Sequence, residues 1–141
     1  MAKEDEISRN LTLIEYYKEQ LGSLEIQQQY LQAALQDIYK SKVTMEQMEN
    51  ADKDTEILIP IGGGVYINGS LNNVTKVLLD VGAGVVTEKG IPDAIKKLEE
   101  KIKNIQENFE KLLQMAQKIQ EESAKLSQET QQLIDASKQQ L

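Results

Sequence analysis

The stretch ILIPIGGGVYINGS, residues 57–70, has a glycine spacing that could bind phosphate. A dinucleotide-binding turn requires Gly-x-Gly-x-x-Gly leading into a helix, so that backbone N–H groups face the phosphates. Here Gly62 and Gly64 are followed by Ile67 at the third position, and the next residues resemble a strand. A P-loop requires Gly-Lys-Ser/Thr, whereas Gly69 is followed directly by serine. The pattern therefore disfavours nucleotide binding and favours tight turns between strands.

No other side chains suggest catalysis or a cofactor. The sequence contains no cysteine and no histidine, the usual ligands of structural zinc and, for histidine, the commonest general base. Carboxylates are numerous, but they lie at helical spacings that place them on solvated faces, and no Asp-x-Asp-x-Asp-Gly calcium loop occurs. We therefore expect a protein that is not an enzyme and that uses no cofactor and no metal.

Composition limits the fold and the partners. The chain has 141 residues with one Phe and no Trp, which is little bulky material for a globular core. Its net charge of -7 would repel nucleic acid and anionic membranes, so we expect neither as a partner. The start is acidic and polar, and no run of about 18 apolar residues occurs. A cytoplasmic location is expected.

The first segment, residues 1–52, has the apolar period of a coiled-coil helix. Between residues 4 and 50 there is no proline and one glycine. Steps of three and four residues from Ile7 define a seam that is mostly apolar: Ile7, Asn10, Ile14, Tyr17, Leu21, Leu24, Gln28, Leu31, Leu35, Ile38, Lys42 and Met45.

The last segment, residues 91–141, repeats this period. Its seam is Ile95, Leu98, Ile102, Ile105, Phe109, Leu112, Ala116, Ile119, Ser123, Leu126, Thr130, Leu133, Ser137 and Gln140. Pro92 suits the first helical turn, and Asp93 suits the positive end of the helix dipole. Two helices of similar length joined by a short segment are expected to pair antiparallel. After Phe109 every second seam position is small, and we therefore expect weak packing and fraying at the free ends. These positions are Ala116, Ser123, Thr130 and Ser137.

The middle segment, residues 56–89, has strand composition and contains an internal repeat. ILIPIGGGVYIN and VLLDVGAGVVTE align at an offset of twenty residues, so that Gly62 and Gly64 correspond to Gly82 and Gly84. The repeat predicts two tandem β-hairpins that turn at these glycines.

Two small hairpins leave strand edges and apolar side chains uncovered. Joining hairpins from several subunits into a closed barrel would cover them. The predicted fold is therefore α+β: a long antiparallel two-helix coiled coil, with two tandem hairpins at the joined end that form an intersubunit barrel. The expected oligomerisation residues are Ile57, Ile59, Ile61, Val65, Ile67, Val77, Leu79, Val81 and Val85.

This arrangement resembles the prefoldin subunits. The likeness is carried by ILIPIGGGVYINGSL and by VLLDVGAGVVTEKGIPDAI, which is similar to the family's Val-Gly-x-Gly stretch before the last helix. Possession of two hairpins looks like the alpha class. The resemblance implies an ATP-independent holdase chaperone that joins beta-class subunits in a hexamer, holds unfolded client proteins at its coiled-coil tips and passes them to a group II chaperonin. It leaves open a second assembly, the self-assembled filament of gamma-prefoldin.

The residues near the free ends of the helices support client binding independently. Leu11, Leu13 and Tyr16 lie off the first seam, and Ile134 and Leu141 lie off the second, so these side chains are not used in pairing the helices. Exposed apolar side chains on fraying ends suit weak, multivalent capture of unfolded chains. The expected client-binding residues are Ile7, Leu11, Leu13, Ile14, Leu133, Ile134 and Leu141.

Overall fold

A computed structural model describes residues 2–72 and 74–139 of the chain. Two long helices are joined by two antiparallel hairpins, which confirms the predicted fold class. The elements are α1 (Ala2–Glu49), β1 (Glu56–Gly62), β2 (Val65–Ser70), β3 (Lys76–Gly82), β4 (Val85–Gly90) and α2 (Ile91–Gln139). We call β1–β2 hairpin 1 and β3–β4 hairpin 2.

The helices bury the predicted seams. In α1, each seam position from Ile7 to Met45 is half-buried or buried, and the same holds in α2 from Ile95 to Ser137. Gln140, the last predicted seam position, lies outside the described residues. The heptad period therefore predicts which residues of each helix face its neighbour.

Residue contacts divide the chain into two compact units. The helical unit contains the helices up to residue 34 and from residue 105, and the hairpin unit contains residues 35–104. In the helical unit the helices run antiparallel, and the Tyr17 hydroxyl donates a hydrogen bond to the Glu122 carboxylate at 3.4 Å. Desolvation, together with the negative charge of Glu122, raises the pKa of the Tyr17 phenol above its ordinary value of 10.0.

The hairpin unit holds a small apolar core. Met45, Ile91, Ala94 and Leu98 are buried there, and Val77 and Leu79 of β3 are partly buried against them. Ile91 is only 1% exposed, and its N–H donates a hydrogen bond to the carbonyl of Thr75 at 3.1 Å. This bond joins the start of α2 to the residue just before β3. Hairpin 2 thus packs against the helices of its own chain.

The two hairpins have the same register, offset by twenty residues. Glu56 pairs with Ser70 in hairpin 1, and Lys76 pairs with Gly90 in hairpin 2. Each ladder is irregular just before its turn, between Pro60 and Gly62 and at the corresponding place in hairpin 2. The internal repeat seen in the sequence is therefore a repeat of structure.

In the described part of the chain, no helix has a stretch that is both apolar enough and long enough to cross a membrane.

Candidate functional site

The hairpin turns contain the positive φ angles that glycine permits. In hairpin 1 the two central residues, Gly63 and Gly64, have φ of 60° and 76°, as in a type I′ turn. In hairpin 2 the corresponding residues are Ala83 at 53° and Gly84 at 76°. The glycine run is thus the bend between two strands, whereas a phosphate loop would lead into a helix.

The glycine just before each turn has a backbone conformation that fewer residue types can adopt. Gly62 and Gly82 have φ of 102° and 114°, beyond the left-handed region that other residues occasionally adopt. The sequence pattern predicted turns at Gly62 and Gly64 and at the corresponding glycines of hairpin 2. It did not include the residue between each pair, which is Gly63 in hairpin 1 and Ala83 in hairpin 2. Turn chemistry could have indicated this middle residue, because a type I′ turn requires positive φ at two adjacent residues.

The predicted oligomerisation residues differ in how much of their surface is free. Ile57, Val77 and Leu79 are half-buried within the chain. The others expose large apolar surface: Ile59 (40%), Ile61 (60%), Val65 (54%), Ile67 (48%), Val81 (51%) and Val85 (54%). This surface is available for contact with other molecules.

The hairpins also have a second apolar face that sequence reasoning missed. Directly paired residues share a face, and the pairs Ile57–Gly69 and Ile59–Ile67 alternate with Leu58–Asn68 and Pro60–Tyr66. The second set includes exposed apolar side chains in both hairpins, namely Leu58 (65%), Tyr66 (58%), Leu78 (75%) and Val86 (54%).

The signal for this second face was present in the sequence. The runs ILIPI and VLL are continuously apolar, whereas a strand with one wet face alternates. Strands with two apolar faces are stable when both faces are covered.

The predicted client-binding residues fall into three groups. Leu11 and Leu13 are 51% and 40% exposed, in agreement with their place off the seam. Ile7, Ile14, Leu133 and Ile134 are half-buried. Leu141 lies outside the described residues. Ile134 is therefore less free than its off-seam position suggested.

The free ends of both helices are helical to the limits of the described residues, and fraying there stays a prediction. α1 is helical from Ala2 and α2 to Gln139. Thr130, one of the small seam residues expected to weaken packing, is only 2% exposed. Its hydroxyl donates to the carbonyl of Leu126 at 2.7 Å, so the buried polar atom is satisfied within its own helix. Burial of other small seam residues is partial, as at Ser123 and Ser137.

Comparison with known proteins identifies the family. The sequence model of the prefoldin family, described as "Prefoldin subunit", matches residues 17–136, which include both hairpins and most of both helices. The chain belongs to the prefoldin family. Membership supports a role as a chaperone subunit, and the chaperone character of prefoldins agrees with the expectation that the chain is not an enzyme.

Individual prefoldins are similar to the chain over much of its length. Prefoldin subunit alpha of Archaeoglobus fulgidus is 30% identical over 72% of this chain and 74% of that protein. The cryo-EM structure of filamentous PFD from Methanocaldococcus jannaschii covers 87% of this chain and 96% of that one, with a TM-score of 0.60 and 22% identity. The prefoldin beta subunit from Thermococcus strain KS-1 covers 89% of this chain and 90% of that one, with a TM-score of 0.58 and 18% identity.

Proposed function

We propose that this chain is a subunit of an ATP-independent holdase, in which the hairpins assemble subunits and the coiled-coil tips hold non-native proteins. It works in the cytoplasm, joins beta-class prefoldin subunits in a hexamer, and delivers its clients to a group II chaperonin. The observation that carries the proposal is the large apolar surface that the hairpins of this prefoldin chain leave exposed on both faces.

Assembly follows from the size of the hairpins. Each is a separate two-stranded sheet with two free edges, and such ribbons are marginally stable in water. A barrel built from hairpins of several subunits would pair those edges. It would also cover one face of each strand on the inside and leave the other to pack against the helices.

Exposed apolar side chains in the early turns of α1 support client holding. Leu11, Leu13 and Tyr16 are 40–51% exposed in this part of the helix. They lie beside the seam, so contact with an unfolded chain does not require separation of the helices. Each contact is weak, and several subunits acting together would give useful affinity.

A variant pair tests client holding. We expect the Leu11→Gln/Leu13→Gln double variant to suppress aggregation of guanidinium-unfolded citrate synthase less well than the parent. The matched control is Val43→Gln/Leu113→Gln, which replaces two apolar side chains of similar exposure, 48% and 47%, elsewhere on the helices. Equal loss in both variants, or no suppression by the parent assembly with its beta-class partner, would contradict the proposal.

A second assembly is a filament of this chain alone. Two observations favour it: the similarity to a filamentous PFD, and the presence of two hairpins with the same register. An edge of hairpin 1 could pair with an edge of hairpin 2 of another copy, and repetition of a head-to-tail contact gives a fibre.

Electron microscopy of the chain expressed alone separates the two assemblies. Long fibres with projecting arms would support the filament. Small species that grow to a defined particle only after a beta-class subunit is added would support the hexamer.

A further inference from the structure

A groove lies between α1 and α2 in the helical unit. It has a volume of about 490 Å³, and its apolar lining comes from Ile26, Tyr30 and Leu31 of α1 and from Leu112 and Met115 of α2. A second pocket of about 220 Å³ shares two lining residues with it. We call the two pockets together the side groove.

The side groove places a projecting side chain next to a cavity. Tyr30 is 79% exposed, more than any other large apolar side chain in the described part of the chain. Met115, on the other helix, is 52% exposed, and neither residue belongs to a heptad seam. A surface that carries a knob beside a hole is complementary to a second copy of itself about a two-fold axis, because each knob then enters the hole of the other copy.

Repulsion between two copies of this chain is weakest at the side groove. The chain has a net charge of -7, and 28% of its residues are charged. Residues 26–36 and 112–117 are the longest uncharged runs of α1 and α2, and both contribute to the lining of the groove. Acidic helices approach each other most easily where neither carries charge, so this part of the helices suits contact with a second copy.

Two lysines beside the groove determine which helices face each other. Lys111 and Lys118 lie one turn to either side of Met115 on α2. If α2 faced α2 of the other copy, these lysines would meet, and like charges repel. If α2 faces α1 instead, the lysines lie against the uncharged run of α1.

The glutamines of α1 offer hydrogen-bond acceptors to those lysines. Gln20 and Gln27 line the groove, and their amide nitrogens donate to the hydroxyls of Tyr16 at 2.7 Å and Ser23 at 3.5 Å. Neither bond uses the amide oxygen, which stays an acceptor. A lysine ammonium carries three donors and no acceptor, so contact of α1 with α2 supplies partners to both groups.

The size of the groove face matches a contact between copies that are already joined elsewhere. The lining follows α1 from Gln20 to Leu31, about 17 Å, and two adjacent helices are about 20 Å wide. Two such faces bury roughly 700 Å² in total, below the value of about 1,200 Å² at which stable interfaces begin. Assembly through the hairpins raises the effective concentration of one copy near another, and a weak contact then forms.

We propose that the side grooves of two copies of this chain pack against each other, with α1 of each copy on α2 of the other. The two-fold axis runs parallel to the helices, so that Tyr30 of each copy enters the groove of the other. The contact is a second interface between copies, separate from the hairpins. It rests on the proposed assembly of the chain through its hairpins.

Cross-linking between chains gives the first test. Because the sequence has no cysteine, Ser23→Cys and Met115→Cys each introduce one unique thiol. The two variants are mixed during assembly, one of them with an affinity tag, and treated with a short bismaleimide. The matched control replaces Met115→Cys by Leu113→Cys, because residue 113 is 47% exposed and lies on the other side of the helix. We expect the Ser23–Met115 mixture to cross-link several times more efficiently than the control mixture.

Three results would overturn the proposal. The first is an equal yield in the two mixtures. The second is a Met115→Cys variant that cross-links to itself more efficiently than to Ser23→Cys, because that result places α2 on α2. The third is a benzophenone label at position 115 that cross-links mainly to a beta-class subunit or to an unfolded client.

Reversal of charge gives a second test. In the cross-linking pair, Lys111→Glu/Lys118→Glu should lower the yield several-fold, because carboxylates then face the amide oxygens of α1. Lys96→Glu/Lys103→Glu makes the same change in net charge elsewhere on α2 and should leave the yield near the parent value. An unchanged yield in the groove variant, or an equal fall in the control, would contradict the proposal.

The groove contact and the assembly through the hairpins fail in different ways. If sedimentation velocity shows the assembly but the Ser23–Met115 yield stays at the level of the Leu113 control, only the groove contact is wrong. If the chain forms no assembly, either alone or with a beta-class subunit, both proposals are wrong.

Discussion

The two hairpins share a backbone plan but differ in what covers them. Hairpin 2 packs Val77 and Leu79 against the buried core of its own chain, whereas hairpin 1 contributes no residue to that core. Ile59, which corresponds to Leu79 in the repeat, is 40% exposed. Similar strand sequences thus form one hairpin that packs on the core of its own chain and one that leaves the equivalent side chain exposed.

The repeat therefore specifies the strands but not which surfaces cover them. Hairpin 2 runs directly into α2 at Ile91, so its packing on the start of that helix is local in sequence. Hairpin 1 is preceded by residues 50–55 and followed by residues 71, 72, 74 and 75, none of which lies in a helix or strand. We expect mutations in hairpin 2 to lower the stability of the chain, and mutations in hairpin 1 to act mainly on assembly.

The largest effect is expected from the core behind hairpin 2. Ile91→Ala should lower the free energy of unfolding by about 2–5 kcal/mol, because Ile91 is 1% exposed and its removal leaves a cavity. Ile61→Ala in hairpin 1, at 60% exposure, should change it by less than about 0.5 kcal/mol. Urea denaturation at one low protein concentration measures both, since association alters apparent stability. Similar losses would show that hairpin 1 is equally anchored.

The matched pair Leu79→Ala and Ile59→Ala compares the hairpins at equivalent positions. Leu79 is half-buried against the core, so its truncation should cost about 1–2 kcal/mol of unfolding free energy. Ile59→Ala should cost clearly less in the dilute chain, and it should reduce assembly in sedimentation velocity more than Leu79→Ala does. The reverse order in either measurement would contradict the proposed division between the hairpins.

Exchanging the turn residues tests whether the two bends are equivalent. Gly63→Ala should destabilise hairpin 1 by about 1 kcal/mol, because an L-residue is strained at its φ of 60°. Ala83→Gly should stabilise hairpin 2 by a smaller amount, since relief of strain is offset by greater freedom of the unfolded chain. Thermal unfolding followed by circular dichroism should give shifts of opposite sign. Shifts of the same sign would mean that the turns differ.

The smallest effect is expected from a side-chain hydrogen bond at the turn of hairpin 2, which has no equivalent in hairpin 1. The Asp80 carboxylate accepts a hydrogen bond from the Gly82 N–H at 2.9 Å, while hairpin 1 has Pro60 at the corresponding position. Asp80→Ala should cost about 0.5–1 kcal/mol because the bond is exposed to water.

Amide hydrogen exchange at Gly82 provides the measurement, with Pro60→Ala as the control that should leave protection in hairpin 2 unchanged. Unchanged protection at Gly82 in Asp80→Ala would contradict the role of this bond.

Most of the fold could be predicted from the sequence because it is built from local periods. The heptads place residues such as Leu24, Met45 and Ile102 in the seam, and the offset of twenty residues predicts two hairpins with one register. The packing of hairpin 2 against the helices could not be predicted in the same way. It depends on a core that brings Met45 of α1 and Leu98 of α2, which are distant in sequence, together beside β3.

The sequence alone was enough to predict the helices, the hairpins and the family of the chain, and it located the turns although it missed their middle residues. Contacts between distant segments cover Leu79, leave Ile59 40% exposed and bury Thr130, and these outcomes needed the structure. Helix propensity, the heptad period and turn chemistry depend on residues that are close in sequence. Burial of a side chain depends on which distant segments of the chain come into contact, and no local pattern encodes that.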